Sequence, residues 1–191
     1  MNITRLFDIM ELYQHTYADK KDVFSKYENE KWVKYSGKEY IGYVNNVSYG
    51  LLELGVKPGD IIATISSNRP EWNFIDMGMA QIGAVHVPIY PTLSAEDQEF
   101  ILNHSEAKYL FVSDKPLLQK IKPVLTKVEK LKGVYTFNAI KGENHWMDVV
   151  ELGKKNSEKY KDKVDEIKKN ISKDDLFTII YTSGTTGNPK G

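Results

Sequence analysis

Residues 57–90 read KPGDIIATISSNRPEWNFIDMGMAQIGAVHVPIY, and their pattern indicates the fold class. The turn KPGD leads into the apolar run IIATI at residues 61–65, which is typical of a short buried strand. Pro70 suits the first turn of the following helix, and Gly83 ends that helix before a second apolar run at 84–90. A strand, a helix and a second strand in this order predict one unit of a parallel sheet.

The same alternation continues towards the carboxyl end of the chain. Further strands are predicted at 109–112, 133–137 and 176–181, and helices at Ser94 and Asp114, which are suitable capping residues. The run LFTIIY at 176–181 is nearly all apolar, so we expect a strand that is covered on both faces. Together these elements predict an α/β fold, a mostly parallel sheet with helices on both faces.

The amino-terminal third precedes this alternation and has a different pattern. Apolar residues recur at helical spacing over 6–17, which predicts a short helix. Two runs at 22–27 and 31–36 flank a polar stretch, which predicts a β-hairpin. Ser36 with Glu39 three residues later forms a capping box that should open the next helix.

Composition excludes several classes of function. The 26 basic residues balance the 26 acidic ones, so no overall field draws the chain to nucleic acid or to an anionic membrane. There is no cysteine, which excludes disulfides and thiolate metal sites and agrees with a reducing compartment. Arg5 and Asp8 interrupt any apolar signal region, and no apolar run reaches the roughly 20 residues that span a bilayer. We therefore expect a soluble, cytoplasmic protein.

Two conspicuous features are interpreted as structural. The lysine-rich run at 154–175 keeps Tyr160 and Val164 at helical spacing and mixes both signs of charge, which indicates a solvated helix. The four histidines are scattered and form no i, i+4 pair, so a zinc-protease motif is absent. His86 falls in a predicted strand and is interpreted as a half-buried, hydrogen-bonded residue. No residue is assigned a catalytic or metal-ligating role.

The densest chemical signal is the stretch YTSGTTGNPKG at 181–191, directly after the last predicted strand. Its glycines let successive amide groups turn towards an anion, its hydroxyl groups donate hydrogen bonds, and its lysine supplies a positive charge. An ordinary glycine- and threonine-rich turn is the alternative. The predicted phosphate-binding residues are Thr182, Ser183, Gly184, Thr185, Thr186, Gly187 and Lys190.

This loop is not a Walker motif. The Walker pattern requires a lysine directly after the glycine and then a hydroxyl residue for magnesium. Here Asn188 and Pro189 separate Gly187 from Lys190, and Gly191 follows the lysine. The Walker interpretation is therefore excluded.

The stretch from Tyr181 to Gly191 resembles, position for position, the signature loop of the adenylate-forming superfamily, which comprises acyl-CoA synthetases, luciferases and adenylation domains. Two further segments, SNRPEW at 67–72 and GAVHVPIYPT at 83–92, resemble those of long-chain fatty acid CoA ligases. The resemblance covers most of the chain from Ser36 onward.

The resemblance implies a two-step ligase. Such enzymes use ATP and Mg²⁺ to convert a carboxylic acid to an acyl adenylate, release pyrophosphate, and then exchange AMP for coenzyme A. The implied role of the loop is to bind the β and γ phosphates, so that pyrophosphate leaves with its charge neutralised. The implied partners are ATP, a fatty acid and coenzyme A, and the lipid substrate implies peripheral contact with membranes.

In this superfamily the adenine, acid and coenzyme A contacts follow the loop. We therefore expect residues 1–191 to be an amino-terminal portion of an AMP-binding domain, with the phosphate loop at 181–191. Such a portion should be inactive without the remainder of the parent enzyme. The alternatives are an aryl or amino-acid adenylating enzyme and a non-catalytic nucleotide- or polyphosphate-binding module. An open reading frame of several hundred codons after Gly191 would favour the ligase, and a stop codon the module.

Overall fold

The computed structural model describes residues 3–182 and 188–191. The chain falls into two compact units. The first comprises Met1–Val56, Asn68–Gly83 and Val149–Asp175, and the second comprises Lys57–Ser67, Ala84–Asp148 and Leu176–Gly191. The strands are β1 Phe24–Glu28, β2 Lys31–Tyr35, β3 Ile61–Ile65, β4 Val85–Ile89, β5 Tyr109–Val112, β6 Gly133–Thr136 and β7 Asn144–His145. The helices are α1 Ile9–Leu12, α2 Gly37–Glu53, α3 Pro70–Gln81, α4 Ala95–His104, α5 Lys115–Ile121, α6 Trp146–Lys155 and α7 Ser157–Asn170.

The second unit is built on a five-stranded sheet in the order β4-β3-β5-β6-β7, and every pairing is parallel. Strand β3 lies between β4 and β5, with Ile62 opposite both His86 and Tyr109. The prediction that the runs beginning at Ile61, Val85 and Tyr109 are parallel neighbours is therefore confirmed. The two-residue strand β7 carries no sequence signal and was not predicted.

Helices α4 and α5 pack against the sheet of the second unit through an apolar cluster. The predicted caps are present, because the Ser94 hydroxyl accepts from the Asp97 N–H at 3.0 Å and the Asp114 carboxylate accepts from the Leu117 N–H at 3.1 Å. The fully buried members of the cluster include Ala63, Ile65, Val87, Ile101, Leu102, Leu110, Val112 and Ile121. A parallel sheet flanked by helices confirms the α/β prediction.

The prediction of a strand covered on both faces at 176–181 is wrong. This segment forms only one isolated parallel bridge, between Thr178 and His86, and Leu176 and Ile180 are 61% and 54% exposed. The prediction rested on the nearly all-apolar composition of the segment. Among the described residues, its backbone pairs only with β4, and the exposed side chains of Leu176 and Ile180 show that one face is not covered.

The first unit begins with helical turns over residues 6–17 and the antiparallel hairpin β1–β2, as predicted. Helix α2 opens with the predicted capping box, in which the Ser36 hydroxyl accepts from the Glu39 N–H at 3.2 Å and the Glu39 carboxylate accepts from the Ser36 N–H at 2.7 Å. The fully buried Phe74 of α3 contacts four other rings with centroids 5.1–5.6 Å away, namely Phe24, Tyr35, Tyr40 and Tyr43. This aromatic cluster joins the hairpin to α2 and α3.

Helix α7 agrees with its sequence pattern, whereas α6 was not predicted. The lysine-rich run forms α7, which buries Tyr160 and Val164 as predicted. Helices α2 and α3 lie close together. The Ser48 hydroxyl of α2 donates to the Gly78 carbonyl of α3 at 2.9 Å. Across residues 3–182 and 188–191, no helix is long and apolar enough to cross a bilayer.

Candidate phosphate-binding site

The base of the predicted phosphate loop is closed by two backbone hydrogen bonds. The Thr182 N–H donates to the Lys190 carbonyl at 2.8 Å, and the Lys190 N–H donates to the Thr182 carbonyl at 3.0 Å. Residues that face each other in an antiparallel pair extend their side chains to the same side. The Thr182 hydroxyl and the Lys190 ammonium therefore share one side of the loop base, and both residues are exposed.

Only part of the predicted site lies within the described residues. Thr182 and Lys190 are described, and the structure pairs their backbones. The other five predicted positions, Ser183, Gly184, Thr185, Thr186 and Gly187, lie outside the described residues. Their contacts with phosphate stay predictions.

The chain that enters the loop is held beside β4 by His86. The His86 N–H donates to the Phe177 carbonyl, and the His86 carbonyl accepts from the Ile179 N–H, each at 3.0 Å. The Thr178 hydroxyl also donates to the His86 carbonyl at 2.9 Å. Because this pairing is parallel, the segment runs in the same direction as β4 and delivers Thr182 towards the carboxyl edge of the sheet, where parallel sheets place ligands.

The imidazole of His86 is part of the core. Its Nε2 lies 2.9 Å from the Thr64 hydroxyl of β3, and the residue is 1% exposed. The predicted hydrogen bonding is confirmed, but the prediction of half-burial is wrong. A strand pattern alone did not reveal that the imidazole packs beside the buried Thr64 in the interior.

Tyr181, directly before the loop, is 4% exposed and belongs to the apolar cluster under α4 and α5. Its hydroxyl lies 2.7 Å from Nδ1 of His104, the last residue of α4. The two rings meet edge to face, with centroids 5.7 Å apart. Burial raises the pKa of Tyr181, so the phenol stays protonated and can donate to the imidazole.

Gly191, directly after Lys190, lies against the same tyrosine. A Cβ atom at Gly191 would be 2.9 Å from Cε2 and from Cζ of Tyr181, and 2.8 Å from Cγ2 of Ile179. These distances are shorter than normal carbon contacts, so only glycine fits without displacing its neighbours. The ring of Tyr181 thus supports the loop at both ends.

The segment SNRPEW at 67–72 contains a buried ion cluster in the first unit. The Glu71 carboxylate, 3% exposed, accepts from Lys26 at 2.6 Å and from Arg69 at 3.0 Å. The Tyr35 hydroxyl lies 3.4 Å from the same carboxylate. Burial alone would raise the pKa of Glu71, but the hydrogen bonds from Arg69 and Lys26 outweigh it and hold the pKa below its usual range. This cluster joins the hairpin to the start of α3.

The described donors suit an anion better than a metal ion. Lys190 supplies a full positive charge and Thr182 a hydroxyl donor on the same side of the loop base, which matches the oxygens of a phosphate group. A lysine ammonium cannot bind a metal ion, because it carries a positive charge and has no acceptor. Within the described part of the chain, no group of three or more His, Asp or Glu side chains could hold a metal ion.

Two residues that support the loop were missed by sequence reasoning. His104 is 77 residues from Tyr181 along the chain, and no local pattern links them. Gly191 belongs to the quoted motif but was given no role. A signal for it was available, because a glycine directly after a phosphate-binding lysine indicates close approach of the backbone to a neighbour.

The family model described as "AMP-binding enzyme" matches residues 13–191. Among curated proteins, the chain is 30% identical over 191 residues to the long-chain-fatty-acid–CoA ligase ACSBG2 of Xenopus laevis, covering 96% of this chain and 25% of that protein. It is 32% identical over 171 residues to the fatty acyl-CoA synthetase A of Dictyostelium discoideum, covering 84% and 24%. The chain thus spans about a quarter of the length of these relatives.

Solved structures share the fold. The anthranilate CoA ligase AuaEII, crystallised with anthranoyl-AMP, superposes with a TM-score of 0.75 at 20% identity, covering 97% of this chain and 33% of that one. The long-chain-fatty-acid-CoA ligase FadD1 of Archaeoglobus fulgidus gives a TM-score of 0.72 at 23% identity, covering 98% and 35%. The architecture described above is therefore that of known CoA ligases.

Proposed function

Because the chain belongs to the AMP-binding enzyme family, we propose that it forms part of an ATP-dependent fatty acyl-CoA ligase and supplies its phosphate loop. The parent enzyme activates a fatty acid as an acyl adenylate, releases pyrophosphate, and transfers the acyl group to coenzyme A. The names of the similar curated proteins, which are long-chain-fatty-acid–CoA ligases and fatty acyl-CoA synthetases, support this reaction over an aryl- or amino-acid-adenylating activity.

The observation that carries the proposal is the closed base between Thr182 and Lys190. Two backbone hydrogen bonds fix these residues opposite each other, so their side chains leave the same side of the loop base before the nucleotide arrives. Donors that are already in place cost no reorganisation when charge develops on a leaving group. This arrangement therefore suits the pyrophosphate end of ATP.

The roles of the described residues follow from their chemistry. Lys190 neutralises charge on the β and γ phosphates, and Thr182 donates a hydrogen bond to a phosphate oxygen. ATP enters as its magnesium complex, whose Mg²⁺ is held largely by phosphate oxygens and water. No residue of the described part of the chain is assigned to the metal.

The other partners belong to the parent enzyme. Fatty acid and coenzyme A bind to residues that follow the loop, and the lipid substrate brings the enzyme to membrane surfaces as a peripheral protein. We place the enzyme in the cytoplasm, a reducing compartment with which the lack of cysteine agrees.

Exchange of labelled pyrophosphate into ATP tests the proposal. The protein encoded by the complete reading frame should exchange label only when a fatty acid is added, because exchange requires reversible formation of the acyl adenylate. Adding coenzyme A should then produce acyl-CoA. If label exchanged in the presence of an aryl or amino acid but not of a fatty acid, the proposed substrate class would be wrong.

The 191-residue chain on its own provides the control. It lacks the family's contacts to adenine, acid and coenzyme A, so we expect no acid-dependent exchange above a blank without acid. If the chain alone supported exchange, in a preparation free of host ligases, the assignment of the remaining contacts to later residues would be wrong. If the complete protein bound ATP but supported no exchange with any acid, it would be a nucleotide-binding module.

A further inference from the structure

We propose that His104 is a positioning residue for the phosphate loop and acts through Tyr181. The inference rests on the proposed function, since it concerns the same loop. His104 would touch neither substrate nor reacting atoms. Its role would be to fix the tyrosine ring against which both ends of the loop are held.

A hydrogen bond and a stacked ring orient His104 relative to Tyr181. The Tyr181 hydroxyl lies 2.7 Å from Nδ1 of His104, a normal length for a good hydrogen bond. The imidazole is itself oriented by Phe100, one turn earlier on α4, which stacks on it with centroids 5.4 Å apart and an angle of 25° between the ring planes. Phe100 therefore fixes the imidazole plane, and the imidazole fixes the tyrosine.

The burial of Tyr181 explains why the hydrogen bond is needed. The residue is 4% exposed, whereas His104 is exposed at the end of α4. A tyrosine that only filled the core would be replaceable by phenylalanine, but a buried hydroxyl without a partner is costly. His104 provides that partner and so selects one orientation of the ring.

The ring of Tyr181 is connected to the loop at two places. Tyr181 is covalently joined to Thr182, which forms one side of the loop base. Its Cε2 and Cζ atoms also lie against Gly191, which follows Lys190 on the other side of the base. A shift of the ring would therefore move Thr182 and Lys190 together. Small displacements of binding groups can cost large factors in rate.

A double-mutant cycle in the protein encoded by the complete reading frame tests the proposal. His104→Ala and Tyr181→Phe should each slow adenylate formation about threefold to tenfold, the effect of one hydrogen bond between neutral groups. The double variant should be no slower than the slower single variant, because both changes remove one interaction. Acyl transfer from a preformed adenylate to coenzyme A should be unchanged in all three.

Conservative variants separate positioning from packing. The side-chain oxygen of asparagine takes about the place of Nδ1, whereas the glutamine amide corresponds to Nε2. His104→Asn should therefore restore most of the rate of adenylate formation, and His104→Gln should not. His15→Asn, an exposed histidine of the first unit, is the matched control and should leave the rate unchanged.

Amide hydrogen exchange gives a readout that does not depend on catalysis. His104→Ala should speed exchange at the Thr182 and Lys190 amides, which form the loop base, while amides of β5 keep their protection. This result is expected even if the protein activates no fatty acid, so failure of the proposed function and failure of this inference are distinguishable. Additive effects in the cycle, equal losses in both half-reactions, or unchanged exchange at the two amides would each overturn the inference.

Discussion

Gly191 lies against the ring of Tyr181 so closely that a Cβ atom would be 2.9 Å from both Cε2 and Cζ. The two residues are the first and last of the predicted phosphate loop, one directly before Thr182 and the other directly after Lys190. The entrance and exit of the loop therefore share one support. This relationship explains why a residue that offers no side chain is needed at the end of the loop.

The Gly191→Ala variant should slow adenylate formation about tenfold to a hundredfold, because the added methyl group must displace Lys190 from the loop base, and misplacement of about 1 Å has effects of this size. Acyl transfer from a preformed adenylate should be nearly unaffected. Gly42→Ala, in α2 where a Cβ atom meets nothing within 4 Å, is the control. A Gly191→Ala enzyme with the wild-type adenylation rate would contradict the close contact.

Loss of the lysine charge should act mainly on one half-reaction. A charged hydrogen bond contributes on the order of 1.5 to 3 kcal/mol, and its loss should affect a step in which charge develops on pyrophosphate more than binding. Lys190→Ala should therefore slow adenylate formation roughly tenfold to a hundredfold. The two half-reactions are measured separately, with the exposed Lys155→Ala as the control. Equal losses of rate in both half-reactions would show that Lys190 does not act on the pyrophosphate group.

The ion cluster around Glu71 predicts a pH-dependent contribution to stability. The pKa of Glu71 is lowered in the folded state, so the stabilisation is fully present above the unfolded pKa of about 4.5 and is lost as the pH falls through the folded pKa. At neutral pH, Glu71→Gln should lower the free energy of unfolding by about 3 kcal/mol, because Lys26 and Arg69 lose their buried counter-charge.

The measurement is urea unfolding over a pH series. The difference between wild type and Glu71→Gln should shrink as the pH falls below about 4.5, because the wild-type carboxylate becomes protonated. Glu166→Gln, an exposed position on α7, should change little at any pH. A difference that stayed constant down to about pH 2 would show that the cost comes from packing and not from charge.

The contact between helices α2 and α6 leaves no room for a side chain at Gly153. A Cβ atom on Gly153 would lie 1.8 Å from the Asn46 carbonyl oxygen and 2.7 Å from the Gly50 nitrogen, which are backbone atoms that cannot rotate away. Gly153→Ala should therefore lower the free energy of unfolding by at least about 1 to 3 kcal/mol. In contrast, Gly42→Ala should raise it by about 0.5 to 1 kcal/mol, because alanine favours the helix. Denaturant titrations of both variants decide the matter, and a neutral Gly153→Ala would refute this helix contact.

Local patterns in the sequence were sufficient for most of the elements. The hairpin, the capping box of Ser36 and Glu39, and the caps at Ser94 and Asp114 depend on residues at most a few positions apart. Alternation of apolar strands with helices then restricts the sheet to parallel pairing, since a crossover helix reverses the chain between neighbouring strands. The apolar run at 176–181 was misleading because composition does not reveal which other elements pack over the faces of a strand.

Local patterns in the sequence were enough to establish the α/β class and to predict a phosphate loop at 181–191, because propensity, capping and glycine conformation act between near neighbours in the chain. Three contacts became visible only in the folded structure. They are the hydrogen bond between His104 and Tyr181, the close approach of the Tyr181 ring to Gly191, and the ion pair between Lys26 and Glu71. His104–Tyr181 and Lys26–Glu71 join residues far apart in the sequence. All three contacts depend on distances of a few ångströms, which are set by how whole strands and helices pack and not by any spacing along the chain.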